Sequence, residues 1–263
     1  MQPVDPEHAG EQSLPDQCAQ EFTERPHPCP FTDSIIEALR LLIPQHVTPE
    51  KAIHDPFGGG GVPLGRLCDD IGYRFAGTDL EPWRDGDPRV ALGDSTLAES
   101  YPTWPFVVVT SPTYNNGVND HFKPKDTSTR LTYRVAAGRE LHENNTGRYS
   151  GRGSKRGEES YWRLTREVVK HWPDTCLVNV KDSVRAGQTY PLVPLWHDLL
   201  MEHGYEVRHE WVYCPGWRMG RNGQERSDAE AILIAKRSAT PDRVGSETRE
   251  GTSDSSVLPE QER

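Results

Sequence analysis

Paired cysteines are missing from this sequence. Its five cysteines, Cys18, Cys29, Cys68, Cys176 and Cys214, form no C-x-x-C pair, which excludes a zinc ribbon and predicts free thiols in a reducing compartment. No long apolar run is present and no signal-peptide pattern opens the chain, so a cytoplasmic protein with no membrane span is expected. Hydrophobic residues make up only 34% of the chain, low enough to place part of it outside any core. Basic excess is also absent, the formal net charge being −10. Most of that acidity is at the two ends. Residues 1–30 hold six acids against one base, and residues 238–263 hold six acids against three bases. Both segments are rich in Pro, Glu, Gln, Ser, Asp and Thr, which predicts a disordered acidic tail over 1–26, one α/β domain over 27–237 and a second disordered tail over 238–263. The body is then nearly neutral, and its total charge excludes no class of partner, because what matters is where the basic residues cluster.

Glycine is abundant at one place. The stretch Ala52-Ile53-His54-Asp55-Pro56-Phe57-Gly58-Gly59-Gly60-Gly61-Val62 reads as a strand end, an acid and a glycine run, and the apolar-periodic Leu64, Leu67, Cys68 and Ile71 follow. This is the strand, turn and helix start of a nucleotide-type cofactor pocket, in which glycines let a ligand approach the backbone and helix amides face it. Glycine turns without a chemical role are common, so two further stretches matter. Tyr73-Arg74-Phe75-Ala76-Gly77-Thr78-Asp79 is a second short strand ending in a carboxylate, at the distance of about 20 residues where an acid accepts hydrogen bonds from ribose hydroxyls. Phe106-Val107-Val108-Val109-Thr110 has the unbroken β-branched run of a buried strand, and it delivers Ser111-Pro112-Thr113-Tyr114 at its carboxyl end, the edge where ligands collect in parallel sheets.

Together, Asp55-Pro56-Phe57 with Gly59 and Gly61, followed downstream by Ser111-Pro112-Thr113-Tyr114, resemble the motif pair of the S-adenosylmethionine-dependent methyltransferases that modify exocyclic amino groups of DNA bases. Two positions depart from that pattern: Thr113 stands where the family has a second proline, and Val62 where the first motif usually closes with threonine. The resemblance implies the class I methyltransferase, Rossmann-like fold and S-adenosylmethionine as cofactor. It assigns cofactor binding to Phe31, Asp55, Phe57, Gly59, Gly61, Asp79 and Asp94, with Phe31 at the methionine end and Asp94 accepting from the adenine amine. It also implies catalytic roles for Ser111, Pro112 and Tyr114. The lone pair of a base amine is conjugated with the ring; the Ser111 side chain and the Pro112 carbonyl would localise it by accepting hydrogen bonds, and Tyr114 would stack on a base flipped from the duplex. Serine at the head of the second motif leans toward cytosine N4 over adenine N6. The implied partners are DNA and, in a restriction-modification system, a cognate nuclease; no metal is called for.

The rest of the chain fits such a domain. An amphipathic helix follows the cap Thr32 or Asp33, turns Ile35, Ile36, Leu39, Leu42 and Ile43 inward, and is closed by Pro44. Helices are also predicted from Tyr161 with Leu164, Val168 and Val169, and over 190–203; strands are predicted over 89–92, 175–180, 206–213 and 229–235. The count of seven strands alternating with helices predicts a doubly wound α/β sheet with the last strand antiparallel.

Residues 115–158 differ from everything around them. They lack aliphatic periodicity, and over 123–160 nine bases face five acids. A loop of that length in a compact domain is functional or disordered. The expectation is a mobile basic insertion in which Arg148, Arg152, Lys155 and Arg156 neutralise phosphates while Tyr133 and Tyr149 offer stacking faces; the plainer alternative is a solvated insertion with no ligand. Two other functions stay open: an RNA base methyltransferase carrying the same motifs, and a catalytically inactive nucleic-acid-binding protein of the same fold, to which Thr113 and Val62 lend weight. A dehydrogenase is disfavoured, since the G-x-G-x-x-G spacing is missing.

Overall fold

The computed structural model describes residues 26–28, 30–113, 133–149, 155–185, 188–214 and 228–237. In chain order the elements are α1 (Asp33–His46), β1 (Ala52–Asp55), α2 (Val62–Ile71), β2 (Phe75–Asp79), β3 (Val90–Leu92), β4 (Phe106–Thr110), α3 (Tyr133–Ala137), α4 (Lys155–Val169), β5 (Thr175–Val180), β6 (Ser183–Arg185), β7 (Gln188–Tyr190), α5 (Leu192–Glu202), β8 (Tyr205–Tyr213) and β9 (Ala229–Arg237). Seven strands form one sheet in the order β3-β2-β1-β4-β5-β9-β8. Strands β1 to β5 pair in parallel, and β9 runs antiparallel to both β5 and β8. The order reverses between β1 and β4, so a crevice opens at their carboxyl ends, the switch point at which ligands bind in such sheets.

Strand alternation explains the two layers of core. Val107, Val109, Leu177, Ile232 and Ile234 pack on one face with the α1 stripe Ile35, Leu39, Leu42 and Ile43 and with Leu64 and Leu67 of α2. Val108, Cys176, Val178 and Leu233 point to the other face, where Val168 and Val169 of α4 and Trp196 and Leu199 of α5 cover them. Period two on the strands and a helical stripe on each cover is what burial on both faces requires.

Several expectations shift. Helix α1 runs through Pro44 to His46: the proline removes one donor, yet the Val47 amide still closes on the Ile43 carbonyl at 2.8 Å, so the last turn survives the loss. Thr32 is the cap residue by position, but its side chain makes no cap hydrogen bond. Helix α4 begins at Lys155, six residues before Tyr161, its first turns being too polar to show an apolar period. Strands β6 and β7 form a separate hairpin, and at three residues each they are too short for a periodic signal.

The largest correction concerns the loop expected over 115–158. Within it, residues 133–149 hold α3 and a 3-10 turn at Thr146–Arg148, and Tyr133, Ala136, Ala137 and Leu141 make a small core with Trp83. Tyr133 is buried, which removes it as a stacking face for bases. A five-residue helix held by two aromatic rings leaves no aliphatic period to read. Among the described residues, no helix is long and apolar enough to cross a membrane.

Candidate active site

The glycine run leaves β1 and turns under β2. The Gly58 amide donates to the Thr78 carbonyl at 2.9 Å and the Gly61 amide closes the turn on the Gly58 carbonyl at 2.8 Å. Gly59 and Gly61 adopt φ of 51° and 64°, a left-handed backbone that side chains resist. At Gly61 a Cβ would stand 2.4 Å from Cγ2 of Val90, and at Gly59 one would stand 2.9 Å from Nε2 of His27. The turn therefore needs glycine at both positions. A cleft of about 280 Å³ opens over it, lined by Phe31, Asp55, Phe57, Gly58, Gly60, Gly61 and Ser111 among others, close to the lower end of small-ligand sites at roughly 300 Å³.

Three aspartates, Asp55 and Asp79 at the ends of β1 and β2 and Asp94 two residues past β3, organise the edge in the same way. Asp55 Oδ1 accepts from the Phe57 amide at 3.0 Å, Asp79 Oδ1 from the Glu81 amide at 2.8 Å, and Asp94 Oδ1 from the Thr96 amide at 2.9 Å. Each is a turn closed on the amide two residues on, the local bond that aspartate favours. Their remaining bonds differ. Asp55 Oδ1 also accepts from Thr110 Oγ1 at 2.5 Å, linking the glycine turn to the residue before Ser111. Asp79 also accepts from the Gly59 amide at 2.8 Å and Trp83 Nε1 at 3.0 Å. Asp94 takes Thr96 Oγ1 and Asn144 Nδ2, both at 2.7 Å.

Electrostatics separates the three. Burial pushes the Asp55 carboxyl up to about 7, outweighing the bonds from Thr110 and Phe57. Burial likewise lifts Asp79 to about 6 against its three donors. Burial would also raise Asp94, but hydrogen bonds from Asn144 and Thr96 prevail and hold it below the ordinary carboxylate range. Beside them on β1, His54 is 1% exposed and both ring nitrogens lack a hydrogen-bond partner; burial drops it to about 4.

Ser111 and Pro112 sit where the sequence places them, at the end of β4. A second, smaller cavity of about 40 Å³ is lined by Phe57, Asp79, Asp94, Ser111, Thr113, Asn144 and Thr146 among others. Phe57 and Ser111 thus belong to both hollows. The Ser111 hydroxyl donates to Asn179 Oδ1 at 3.3 Å, and Thr113, in place of the expected proline, offers its carbonyl to the Tyr161 hydroxyl at 2.7 Å. Tyr114 lies outside the described residues.

The roof over the second cavity is the segment 133–149. Glu81, 2% exposed, pairs with Arg139 at 2.7 Å and accepts the His142 amide at 2.7 Å. Arg134 pairs with Glu140, and Arg148 donates to the Leu141 carbonyl at 3.1 Å. Tyr149 donates to the Glu143 carbonyl at 2.9 Å. Arg148, expected to grip phosphate, and Arg134 and Arg139, two more of the nine bases over 123–160, therefore already hold the segment to itself and to Glu81. Arg152 lies outside the described residues, and Lys155 and Arg156 are described only as the first residues of α4.

Sequence reasoning missed His27, Glu81, Asn144, Asn179 and Glu230. The last two carried a signal: Asn179 interrupts the buried apolar run of Thr175–Val180, and Glu230 stands beside the buried apolar run 231–235 of Ala229–Arg237. His27, Glu81 and Asn144 carried none, since their partners lie far along the chain.

The sequence matches no protein-family model and no curated relative. Solved structures resemble it at low identity. A precorrin-6y C5,15-methyltransferase from Geobacter metallireducens is 11% identical over 79% of this chain and 90% of its own, with a TM-score of 0.39. A 1,6-didemethyltoxoflavin-N1-methyltransferase from Burkholderia thailandensis, with bound S-adenosylhomocysteine, is 11% identical over 77% of this chain and 78% of its own, with a TM-score of 0.40. An RNA methyltransferase candidate from Pyrococcus horikoshii is 11% identical over 83% of this chain and 93% of its own, with a TM-score of 0.42. Likenesses this weak say nothing about chemistry. The strand order with its antiparallel β9 is itself that of the class I methyltransferase, Rossmann-like fold.

Proposed function

We propose that the chain is an S-adenosylmethionine-dependent methyltransferase acting on the exocyclic amine of a DNA base, cytosine N4 in preference to adenine N6. The observation that carries the reading is the placement of Ser111, a hydroxyl at the switch point that borders both the glycine-turn cleft and the hollow of Asp79 and Asp94.

The residues present fit the cofactor in chemistry. A carboxylate has about four acceptor positions; Asp79 uses three, on Gly59, Glu81 and Trp83, and Asp94 uses three, on Thr96 and Asn144. One acceptor on each is left for a ribose hydroxyl and an adenine amine. The left-handed glycines admit a close approach that a Cβ would block. When bound, the cofactor would supply an electrophilic methyl group; Asp79 and Asp94 would hold its nucleoside and Phe31 and the glycine turn its other end. The 40 Å³ hollow is smaller than a base, so Asn144 to Thr146 would move outward as the nucleoside enters.

This chain's own residues do the rest. Ser111 Oγ accepts a hydrogen bond from one N–H of the target amine and the Pro112 carbonyl accepts one from the other, which turns the nitrogen lone pair out of conjugation. Asp55 fixes Ser111 relative to the glycine turn through Thr110.

The test is transfer of labelled methyl from S-adenosylmethionine to DNA and to RNA, with nucleoside analysis of the product. Label in 4-methylcytosine or 6-methyladenine of DNA supports the reading, and label in RNA alone replaces the substrate. Cofactor binding without transfer makes it a binding protein. Ser111→Ala should lower turnover about 100-fold while cofactor affinity stays within a factor of about two.

A further inference from the structure

Beneath Ser111 lies a buried polar chain that the motifs do not include. Thr110 on β4 is in register with Val178 on β5, so Ser111 comes level with Asn179, one residue on. Asn179 is 3% exposed and Glu230, at the start of β9, is 6% exposed. Ser111 Oγ donates to Asn179 Oδ1 at 3.3 Å; Asn179 Nδ2 donates to Glu230 Oε2 at 3.2 Å and to the Ala231 carbonyl at 3.5 Å. Lys181 Nζ stands 3.5 Å from Glu230 Oε1, its side chain 13% exposed.

The direction of every bond in this chain follows from chemistry. A carboxylate and a backbone carbonyl only accept, so the amide nitrogen of Asn179 must face Glu230 and Ala231. Its oxygen must then face Ser111. A hydroxyl has one hydrogen, and with that hydrogen donated to Asn179 Oδ1 Ser111 faces the cleft with its lone pairs. Lys181 pairs with Glu230 at 3.5 Å in a site where an unpaired carboxylate would be costly.

We propose that Asn179, oriented by the Glu230–Lys181 pair, is a positioning residue that makes Ser111 an obligate acceptor and so selects a substrate group that donates, an amine, against a keto oxygen that accepts. This inference rests on the methyltransferase reading and adds to it a reason why one edge of a base is accepted and another refused. A keto group placed on Ser111 would meet two facing acceptors with no hydrogen between them, and sites that demand a hydrogen from their ligand reject analogues lacking it by large factors.

The experiment uses the full chain, wild type, Asn179→Leu and Glu230→Gln. Binding of S-adenosylhomocysteine checks that each variant is folded at the cofactor site. Methyl transfer is then measured on DNA with the preferred amino base, with the same DNA carrying the keto counterpart at that position (uracil for cytosine, hypoxanthine for adenine) as competitor. Wild type should bind the keto DNA at least tenfold more weakly. In Glu230→Gln the new amide can donate as well as accept, so only the long 3.5 Å contact with the Ala231 carbonyl still favours the present orientation; Asn179 can then turn over at the loss of that contact and Ser111 can present its hydrogen, so discrimination should shrink to within about twofold. Asn179→Leu should lower kcat about tenfold or more with KM for the cofactor unchanged. Should Asn179→Leu not fold, the nearly isosteric Glu230→Gln still decides. An active wild type whose Glu230→Gln variant discriminates as before overturns the inference alone; a wild type that binds S-adenosylhomocysteine but methylates no nucleic acid overturns the reading beneath it as well.

Discussion

The two halves of the sheet edge are built by different means. On the glycine-turn side, Asp55, Asp79 and Asp94 each close a turn on the amide two residues later, so a carboxylate is set at each strand end by a few neighbouring residues. On the other side, Ser111, Asn179 and Glu230 are separated by 68 and 51 residues, and nothing local holds them together. The first half is a scaffold that each strand carries with it. The second exists only once β4, β5 and β9 are aligned. A cofactor common to many substrates suits the first kind of construction, and a group that chooses among substrates suits the second, because it can be changed without disturbing the turns.

Breaking the local half should have the largest effect on stability. Gly61→Ala forces a left-handed alanine, at about 1–2 kcal/mol, and drives its Cβ to 2.4 Å from Val90, an overpacking that adds about 1–3 kcal/mol. Urea unfolding should show a loss of about 3 kcal/mol, with cofactor binding lost alongside. A loss below about 1 kcal/mol would mean that the turn yields, and that the contrast between a rigid and an assembled half is wrong.

A smaller effect separates the roof from both halves. Glu81 is fully buried at its side chain and Arg139 is 38% exposed there, so removing the cation strands a carboxylate that still keeps the His142 amide. Arg139→Met should lower stability by about 1–2 kcal/mol after allowance for the solvent around Arg139. It should also speed proteolysis within 133–149 while leaving unfolding of the sheet cooperative. Unchanged proteolysis would show that the aromatic packing of Trp83 on Tyr133 holds the segment without the ion pair.

Legibility in the sequence followed the same division. The strands, the glycine turn and the acids could be read because each is announced within a few residues: Asp55 by Pro56, Phe57 and the glycines, Asp79 by the short strand before it, Ser111 by the β-branched run of β4. The roof could not be read, since Arg139 finds Glu81 and Asn144 finds Asp94 across 58 and 50 residues, and in the sequence Arg139 counted only as one more base of the insertion. Asn179 stood in view as a polar residue within a buried strand, but its meaning depended on Glu230. Spacing carries local bonds well and long-range ones hardly at all.

The finest test of the scaffold half is its dependence on pH without ligand. Asp55 and Asp79 have folded values of about 7 and about 6, raised above the unfolded carboxyl, so the folded state holds more protons there and their contribution fades as pH rises through those values. His54 has the opposite sign: its folded value of about 4 lies below the ordinary 6.5, so its contribution is complete above 6.5 and is lost as pH falls toward 4. Going from pH 8 to 6.5 the acids act first, and the ligand-free chain should gain up to about 1 kcal/mol, with His54 offsetting part of the further gain on continued acidification. Asp55→Asn keeps an oxygen for the Phe57 amide and Thr110 but removes the buried charge. It should flatten the slope above pH 6.5 and raise stability slightly at pH 8, measured by unfolding at both values. A slope that survives the substitution would place the titration elsewhere and leave Asp55 a charged scaffold residue like Asp94.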